Sequence, residues 1–173
     1  MMNERDVVDL LKEVESLGIS IWVGGGWGVD ALIGSQTRQH NDIDVYIEKR
    51  NADDFIKMLT SKGYSEVKME YTTESHTVWQ NPSNHIVDFH LIELKADDAE
   101  SLYFEGEAYP LFVLDGTGTI GGIAVRCFTA EAQLLFHQGY EYGEKDIHNV
   151  LLLCKTLNFD MPEEYKSSSK HTE

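Results

Sequence analysis

Apolar residues recur every three or four positions near the start of the chain, at Val7, Leu10, Leu11, Val14 and Leu17. That spacing predicts an amphipathic helix over residues 3–18, ended by Gly18. The run "SIWVGG" predicts a short buried strand that breaks into Gly24, Gly25 and Gly26, and "WGVDALIG" predicts a helix closed by Gly34. The period then changes to two. In "NDIDVYIE", Ile43, Val45 and Ile47 alternate with Asp42, Asp44 and Tyr46, the signature of a half-buried strand. Asn51 is placed to cap a helix over "ADDFIKMLTSK" that stops at Gly63. Strands are expected at 64–70 and 75–80, then a turn at "NPSN" leading into the apolar run "HIVDFHLI". Residues 93–122 turn acidic and then glycine-rich, with a hairpin expected inside "YPLFVLDGTGTIGG". "IAVRCF" predicts a strand, Thr129 caps a helix reaching about His137, and "EKDIHNVLLLCKTLN" predicts a last amphipathic helix. This order implies a mixed sheet with helices against it and a helical end. No internal repeat or domain linker interrupts it.

Composition alters this picture little. At 173 residues, 42% hydrophobic and 25% charged, the chain has the makeup of one ordinary globular domain. Its opening residues "MMNERDVVDL" lack the apolar segment of a secretory signal, and no run approaches the roughly 18 apolar residues of a membrane span. Cys127 and Cys154, widely separated, form neither a disulfide framework nor a zinc spacing and read as small buried residues, consistent with a reducing cytoplasm. Charge excludes more. Thirty acidic against 14 basic residues give a formal charge of -16, a field that repels nucleic acid and attracts metal cations and amine-bearing small molecules.

The glycines match neither familiar phosphate loop. Counted from Gly24, the third glycine of a dinucleotide fingerprint falls on Val29, and no lysine stands between Lys12 and Lys49 to complete a P-loop. What remains is a strand whose glycines open a helix. Bare amides there can approach an anion closely, or the turn can be empty.

The carboxylates favour the first alternative. In a strand Asp42 and Asp44 project from one face. Side by side and desolvated they repel by several kcal/mol unless a cation lies between them, and Mg²⁺ takes oxygen ligands in the company of substrate phosphates. Asp88 lies in the apolar run "IVDFH", where an unpaired carboxylate is costly. If that strand lies beside residues 41–48, Asp88 joins the same cluster, or takes a proton from an attacking hydroxyl. His90 shares its face by the same period and reads as structural.

A Gly-Gly turn, an Asp-x-Asp strand and a later single Asp are the components of the nucleotidyltransferase fold of the DNA polymerase β superfamily. "GGWGVDALIGSQTRQHNDID", "VDFHLI" and "TAEAQLLFHQGYEYGEKDIHNVLLL" resemble the small bacterial antibiotic nucleotidyltransferases of the lincosamide and aminoglycoside-2''-adenylyltransferase type. The resemblance spans roughly residues 5–157, and residues 93–122 contribute nothing to it. It implies an α+β polymerase-β-type fold, with a mixed sheet flanked by helices over residues 1–128 and C-terminal helices over 129–160. The tail over 161–173, with its run "EEYKSSSKHTE", is expected from its polar composition to be disordered.

The resemblance also implies roles. Gly25 and Gly26 would hold the triphosphate of ATP, with Trp27 shaping the pocket. Asp42 and Asp44 would bind two Mg²⁺ ions, and Asp88 would complete the second metal site and act as general base. Arg38 and Lys145 are candidate phosphate contacts; the alternative is an ordinary surface arginine for Arg38 and a solvated charge pair with Asp146 for Lys145. His40 reads as fixing its loop, Asp30 as either a helix-face or an acceptor-side group, and Gln133 and His137 as packing or acceptor-wall residues. The implied reaction moves AMP from ATP to a hydroxyl of a small, cationic antibiotic, a lincosamide before an aminoglycoside, in a cytoplasmic homodimer that needs neither nucleic acid nor membrane. Two rivals stand beside it: a minimal nucleotidyltransferase of a toxin–antitoxin pair, which the helices at 129–157 disfavour, and a nucleotide-sugar glycosyltransferase, which the short chain and the Gly-Gly turn disfavour.

Overall fold

The computed structural model describes residues 1–166, and among these nine strands join in one sheet. The first helix, α1 (Glu4–Ser16), has the predicted face: Val7, Leu10, Leu11 and Val14 are buried. Its start is fixed by a capping box, with the Asn3 side chain accepting from the Asp6 N–H and the Asp6 side chain from the Asn3 N–H. The strand β1 (Ile21–Val23) follows, then α2 (Gly25–Ile33), β2 (Asp42–Glu48) and α3 (Ala52–Ser61). Next come β3 (Ser65–Val67), β4 (His76–Gln80), β5 (Ile86–Lys95), β6 (Asp98–Phe104) and β7 (Glu107–Pro110). The chain ends with β8 (Gly116–Ile120), β9 (Ile123–Cys127), α4 (Ala130–Phe136) and α5 (Glu144–Leu157). Among the described residues, no helix is long and apolar enough to cross a membrane.

The strand order is β3-β4-β5-β2-β1-β9-β8, with β6 and β7 appended to the far end of β5. The β2–β5 and β1–β9 pairs are parallel and the others antiparallel, so the sheet is mixed as expected. One face carries Val23, Ile43, Val45, Ile47, Val87 and Phe89 into a core shared with α1, α2 and α3. The other face carries Trp22 and Ile92 into a second core with Leu102, Val113, Leu114, Phe128 and Ala132. Burying an aliphatic side chain of this kind contributes about 1.5–3 kcal/mol, so both faces matter to stability. Asp42 and Asp44 lie on the second face where that core ends, and the alternation of β2 puts them there.

Several boundaries differ from the pattern. The helix expected from Trp27 starts two residues earlier, because the glycines themselves form its first turn, with Gly24 extended as its N-cap. Asn51 lies in a 3-10 turn (Lys49–Asn51) and its side chain caps nothing. The strand expected over 64–70 shrinks to three residues, since a turn closes at Met69–Thr72 through hydrogen bonds in both directions. The hairpin expected before Gly122 is instead β8–β9, folded around Gly121 and Gly122, both at positive φ. A second hairpin, β6–β7, turns at Glu105 and Gly106, again both at positive φ. The disorder expected from residue 161 does not hold at residues 163–165. Glu163–Tyr165 forms a 3-10 turn, Tyr165 is buried with its hydroxyl donating to the His137 carbonyl, and its ring stacks on Tyr142. The rest of that expectation, residues 167–173, lies outside the described residues.

Candidate active site

The carboxylates meet through strand register. In the parallel β2–β5 pair Asp42 lies opposite Ile86, Asp44 opposite Asp88 and Tyr46 opposite His90. Residues opposite each other in adjacent strands are neighbours on the same face, so Asp42, Asp44 and Asp88 form one cluster. Burial and the charges of Asp44 and Asp88 raise the Asp42 carboxyl above the usual carboxylate range, against a smaller lowering by Lys145. The Lys145 charge on the first turn of α5 therefore reaches the cluster, although the residue itself is exposed.

The glycines close the other side. Gly25 lies at φ +51°, and a Cβ there would fall 1.9 Å from Asp44 Oδ2. Only glycine lets the start of α2 lie against the Asp44 carboxylate. The Gly24 N–H donates to the Asp44 carbonyl at 3.0 Å and anchors the turn on β2. At Gly26 a Cβ would meet Arg38 Nη2 at 2.4 Å and His40 Nδ1 at 2.6 Å. Arg38 is thus brought to the glycine turn, while Trp27 is not a wall of the cleft. It is buried in the core, with its ring centroid 4.5 Å from that of His40.

A buried polar network holds the loop between α2 and β2. His40 Nε2 and Asp30 Oδ2 are 2.6 Å apart, both side chains buried. The Thr37 hydroxyl donates to Asp30 Oδ1 at 2.5 Å and lies 3.2 Å from His148 Nε2. Arg38 Nε donates to Asn149 Oδ1 at 3.3 Å and Nη1 to the Gln39 carbonyl at 3.1 Å. The Asn149 side-chain nitrogen is 3.0 Å from His137 Nε2, and His137 Nδ1 is 2.7 Å from the Gln133 carbonyl. Asp30 and His40 are therefore the pair that fixes the loop, and His137 belongs to the network. Gln133 is buried against Gly28, where a Cβ would lie 2.1 Å from its amide nitrogen. Asp146 accepts from the Gly143 N–H and from the Tyr140 hydroxyl, which makes it a cap of α5.

Sequence reasoning missed His76. It lies opposite His90 in the β4–β5 pair, and its Nε2 is 2.5 Å from Asp88 Oδ1. Burial pulls its imidazole down, but the hydrogen bond and charge of Asp88, with the charges of Glu105 and Asp44, outweigh that and hold it above the usual value. His90, read as structural, stands against the cluster: its Nε2 is 3.5 Å from Asp88 Oδ1 and 3.9 Å from Asp44 Oδ1. The signal for His90 was its position two residues after Asp88. His76, twelve residues before Asp88 on another strand, left no comparable signal.

The sequence profile described as aminoglycoside-2''-adenylyltransferase matches residues 6–153, and the chain belongs to that family. It is 32% identical over 149 residues to a lincosamide resistance protein of Staphylococcus haemolyticus, covering 84% of this chain and 90% of that one. It is 25% identical over 171 residues to a 2''-aminoglycoside nucleotidyltransferase of Escherichia coli, covering 89% and 87%. Among solved structures, a lincosamide antibiotic adenylyltransferase with bound lincomycin superimposes with a TM-score of 0.77 at 29% identity, covering 90% of this chain and 98% of that one. ANT(2'')-Ia in complex with adenylyl-2''-tobramycin superimposes with a TM-score of 0.74 at 19% identity, covering 97% of each, and supports the fold.

Proposed function

We propose that this enzyme transfers AMP from ATP to a hydroxyl of a lincosamide antibiotic, in the cytoplasm and with Mg²⁺. The observation that carries the chemistry is the register of Asp44 against Asp88, with Asp42 beside them and Gly25 against Asp44. The choice of acceptor is supported by the greater likeness to the lincosamide resistance protein than to the 2''-aminoglycoside enzyme.

The donor set fits Mg²⁺. Three carboxylates on one sheet face offer hard oxygen ligands, and the Asp42 carboxyl, raised first by burial and then by the charges of Asp44 and Asp88, is one whose ionised form a cation would favour. Asp42, Asp44 and Asp88 would hold the metal, which when bound offsets negative charge on the phosphates and on the oxygens that attack and leave. The first-turn N–H groups of α2 at Gly25 and Gly26 have no intrahelical partner and receive the triphosphate. Arg38, beside the turn at Gly26, and Lys145, whose charge acts on Asp42, supply positive charge. Asp88 accepts the proton of the acceptor hydroxyl as that oxygen bonds to the α-phosphorus, the bond from the α-phosphorus to the bridging oxygen breaks, and pyrophosphate leaves. The hydrogen bond from His76 holds the Asp88 carboxylate in place.

The acceptor is decided by mass spectrometry of reactions with ATP and Mg²⁺, using lincomycin and tobramycin as competing substrates. Lincomycin should gain one adenylyl group and tobramycin little. Preferential modification of tobramycin would overturn the acceptor, and modification of neither would overturn the reading.

A further inference from the structure

The third carboxylate of this site is embedded in imidazole. His76, Asp88 and His90 offer ligand atoms that all lie within 4.8 Å of one another. The three come from adjacent strands, with His76 directly opposite His90 and Asp88 two residues before it on the same face. Their rings are layered: Tyr46 stacks on His90 at 4.4 Å, and His90 lies 4.1 Å from His76. The stack fixes the ring planes before any ligand arrives.

His90 gives the second and independent observation. Its side chain is 8% exposed, yet both ring nitrogens are buried without a hydrogen-bond partner among the described residues. Its Nε2 faces Asp88 Oδ1 at 3.5 Å and Asp44 Oδ1 at 3.9 Å. A buried imidazole nitrogen without a partner is destabilising, and a cation between it and the carboxylate removes that cost. On the far side of His76, the Glu105 carboxylate of the β6–β7 turn stands near Nδ1, with Oε1 3.8 Å away and no hydrogen bond between them. A carboxylate on the far nitrogen of an imidazole is the usual support of a metal ligand.

We propose that His76, Asp88 and His90 form a site for Zn²⁺, distinct in preference from the oxygen-only Mg²⁺ set with which it shares Asp88. Two imidazoles and one carboxylate suit a borderline cation of the zinc type, whereas Mg²⁺ takes oxygen ligands. Two ligand atoms of a tetrahedral zinc at bonds of about 2.0–2.2 Å stand roughly 3.3 Å apart. His90 Nε2 and Asp88 Oδ1 already have close to that separation, and His76 Nε2 moves out from its 2.5 Å hydrogen bond as the cation replaces the shared proton, which goes to solvent. Three protein ligands leave a position for water. Zn²⁺ here occupies the Asp88 oxygen that the transfer reaction needs, so it inhibits transfer; this consequence, unlike the binding, rests on the proposed function.

The test titrates the metal-stripped full chain with Zn²⁺ in a calorimeter, with His76→Gln and His85→Gln variants alongside. His85, partnered with Asp6 away from the site, serves as the control. One Zn²⁺ per chain is expected, with affinity at least roughly tenfold weaker in His76→Gln and unchanged in His85→Gln. Circular dichroism checks that His76→Gln is folded, and the wild-type stoichiometry stands whatever the variant does. No saturable binding by the wild type, or equal affinity in folded His76→Gln, overturns the site. In a transfer assay at fixed Mg²⁺, wild type should lose activity at Zn²⁺ concentrations roughly tenfold below those that affect His76→Gln. Equal inhibition overturns the competition for Asp88. Absence of any transfer overturns the proposed reaction and leaves the calorimetric result to decide the site.

Discussion

Asp44 and Asp88 occupy the same register position of two adjacent parallel strands, β2 and β5. One strand brings a pair of carboxylates two residues apart, and the neighbouring strand brings the third to the level of the second. The repulsion this creates is maintained in the fold by cores on either side, and under the proposed function a bound cation would relieve it.

The cost of the cluster is measurable without substrate. Burial and the neighbouring charges raise the Asp42 carboxyl from its ordinary 3.8, so the folded chain holds that proton more tightly than the unfolded one. This favours the fold below the ordinary value and is lost as pH rises through the raised one, so ionised Asp42 is a net cost near neutrality. Asp42→Asn should therefore raise the melting temperature of the metal-free protein, by about 2–4 °C for each kcal/mol relieved. Mg²⁺ should stabilise the wild type and have far less effect on the variant. Scanning fluorimetry with Mg²⁺ and with EDTA checks both, and a lower metal-free melting temperature for Asp42→Asn contradicts the account.

Gly25 has no tolerable replacement. At φ +51° any L residue is strained by about 1–2 kcal/mol, and its Cβ would collide with the Asp44 carboxylate. Gly25→Ala is expected to remain folded and to lose transfer by at least a hundredfold, about 2.7 kcal/mol of transition-state stabilisation. Steady-state kinetics on the purified variant decide it.

The Asp30–His40 pair is buried, and removing one partner leaves the other uncompensated. Asp30→Ala should cost about 3–5 kcal/mol in urea unfolding, far more than an exposed ion pair such as Lys57–Asp54. Because Asp30 also accepts from Thr37, the loop carrying Arg38 should loosen and the KM for ATP rise more than kcat falls. A loss below 1 kcal/mol would show that the pair does not hold the loop.

Tyr165 closes the C-terminal core over α4 and α5. Its ring is buried with Val29, Leu134, Val150 and Leu153. Tyr165→Ala should cost about 3–5 kcal/mol, and a chain ending at Asp160 should melt lower than the full chain. Equal melting temperatures would place the end of the folded body at α5.

What the sequence made legible follows from where its signals lie. Asp42 and Asp44 were readable because alternation ties a strand's polar residues to one face, and Asp88 because a carboxylate in an apolar run needs a reason. Gly25 was readable as a close approach, although its neighbour, the Asp44 side chain, is fixed only by the pairing of strands. Trp27 misled, since its place beside the glycines says nothing about the direction of its ring, which turns into the core. His76, Asn149 and Tyr165 acquire their roles through contacts twelve or more residues away along the chain, with Asp88, Arg38 and His137. Local pattern carries no record of such contacts. The β6–β7 hairpin was hidden for a different reason: its strands are short, acidic and half exposed, so no apolar period marks them.

In the proposed reaction these three carboxylates together move an adenylyl group. Incubating wild type and Asp88→Asn with lincomycin, Mg²⁺ and ATP labelled at the α-phosphorus tests it most directly. Label in the antibiotic with stoichiometric pyrophosphate is expected for the wild type, and a loss of at least a thousandfold in folded Asp88→Asn, about 4 kcal/mol. Label that stays in nucleotide with the wild type, or transfer that survives in Asp88→Asn, would contradict it.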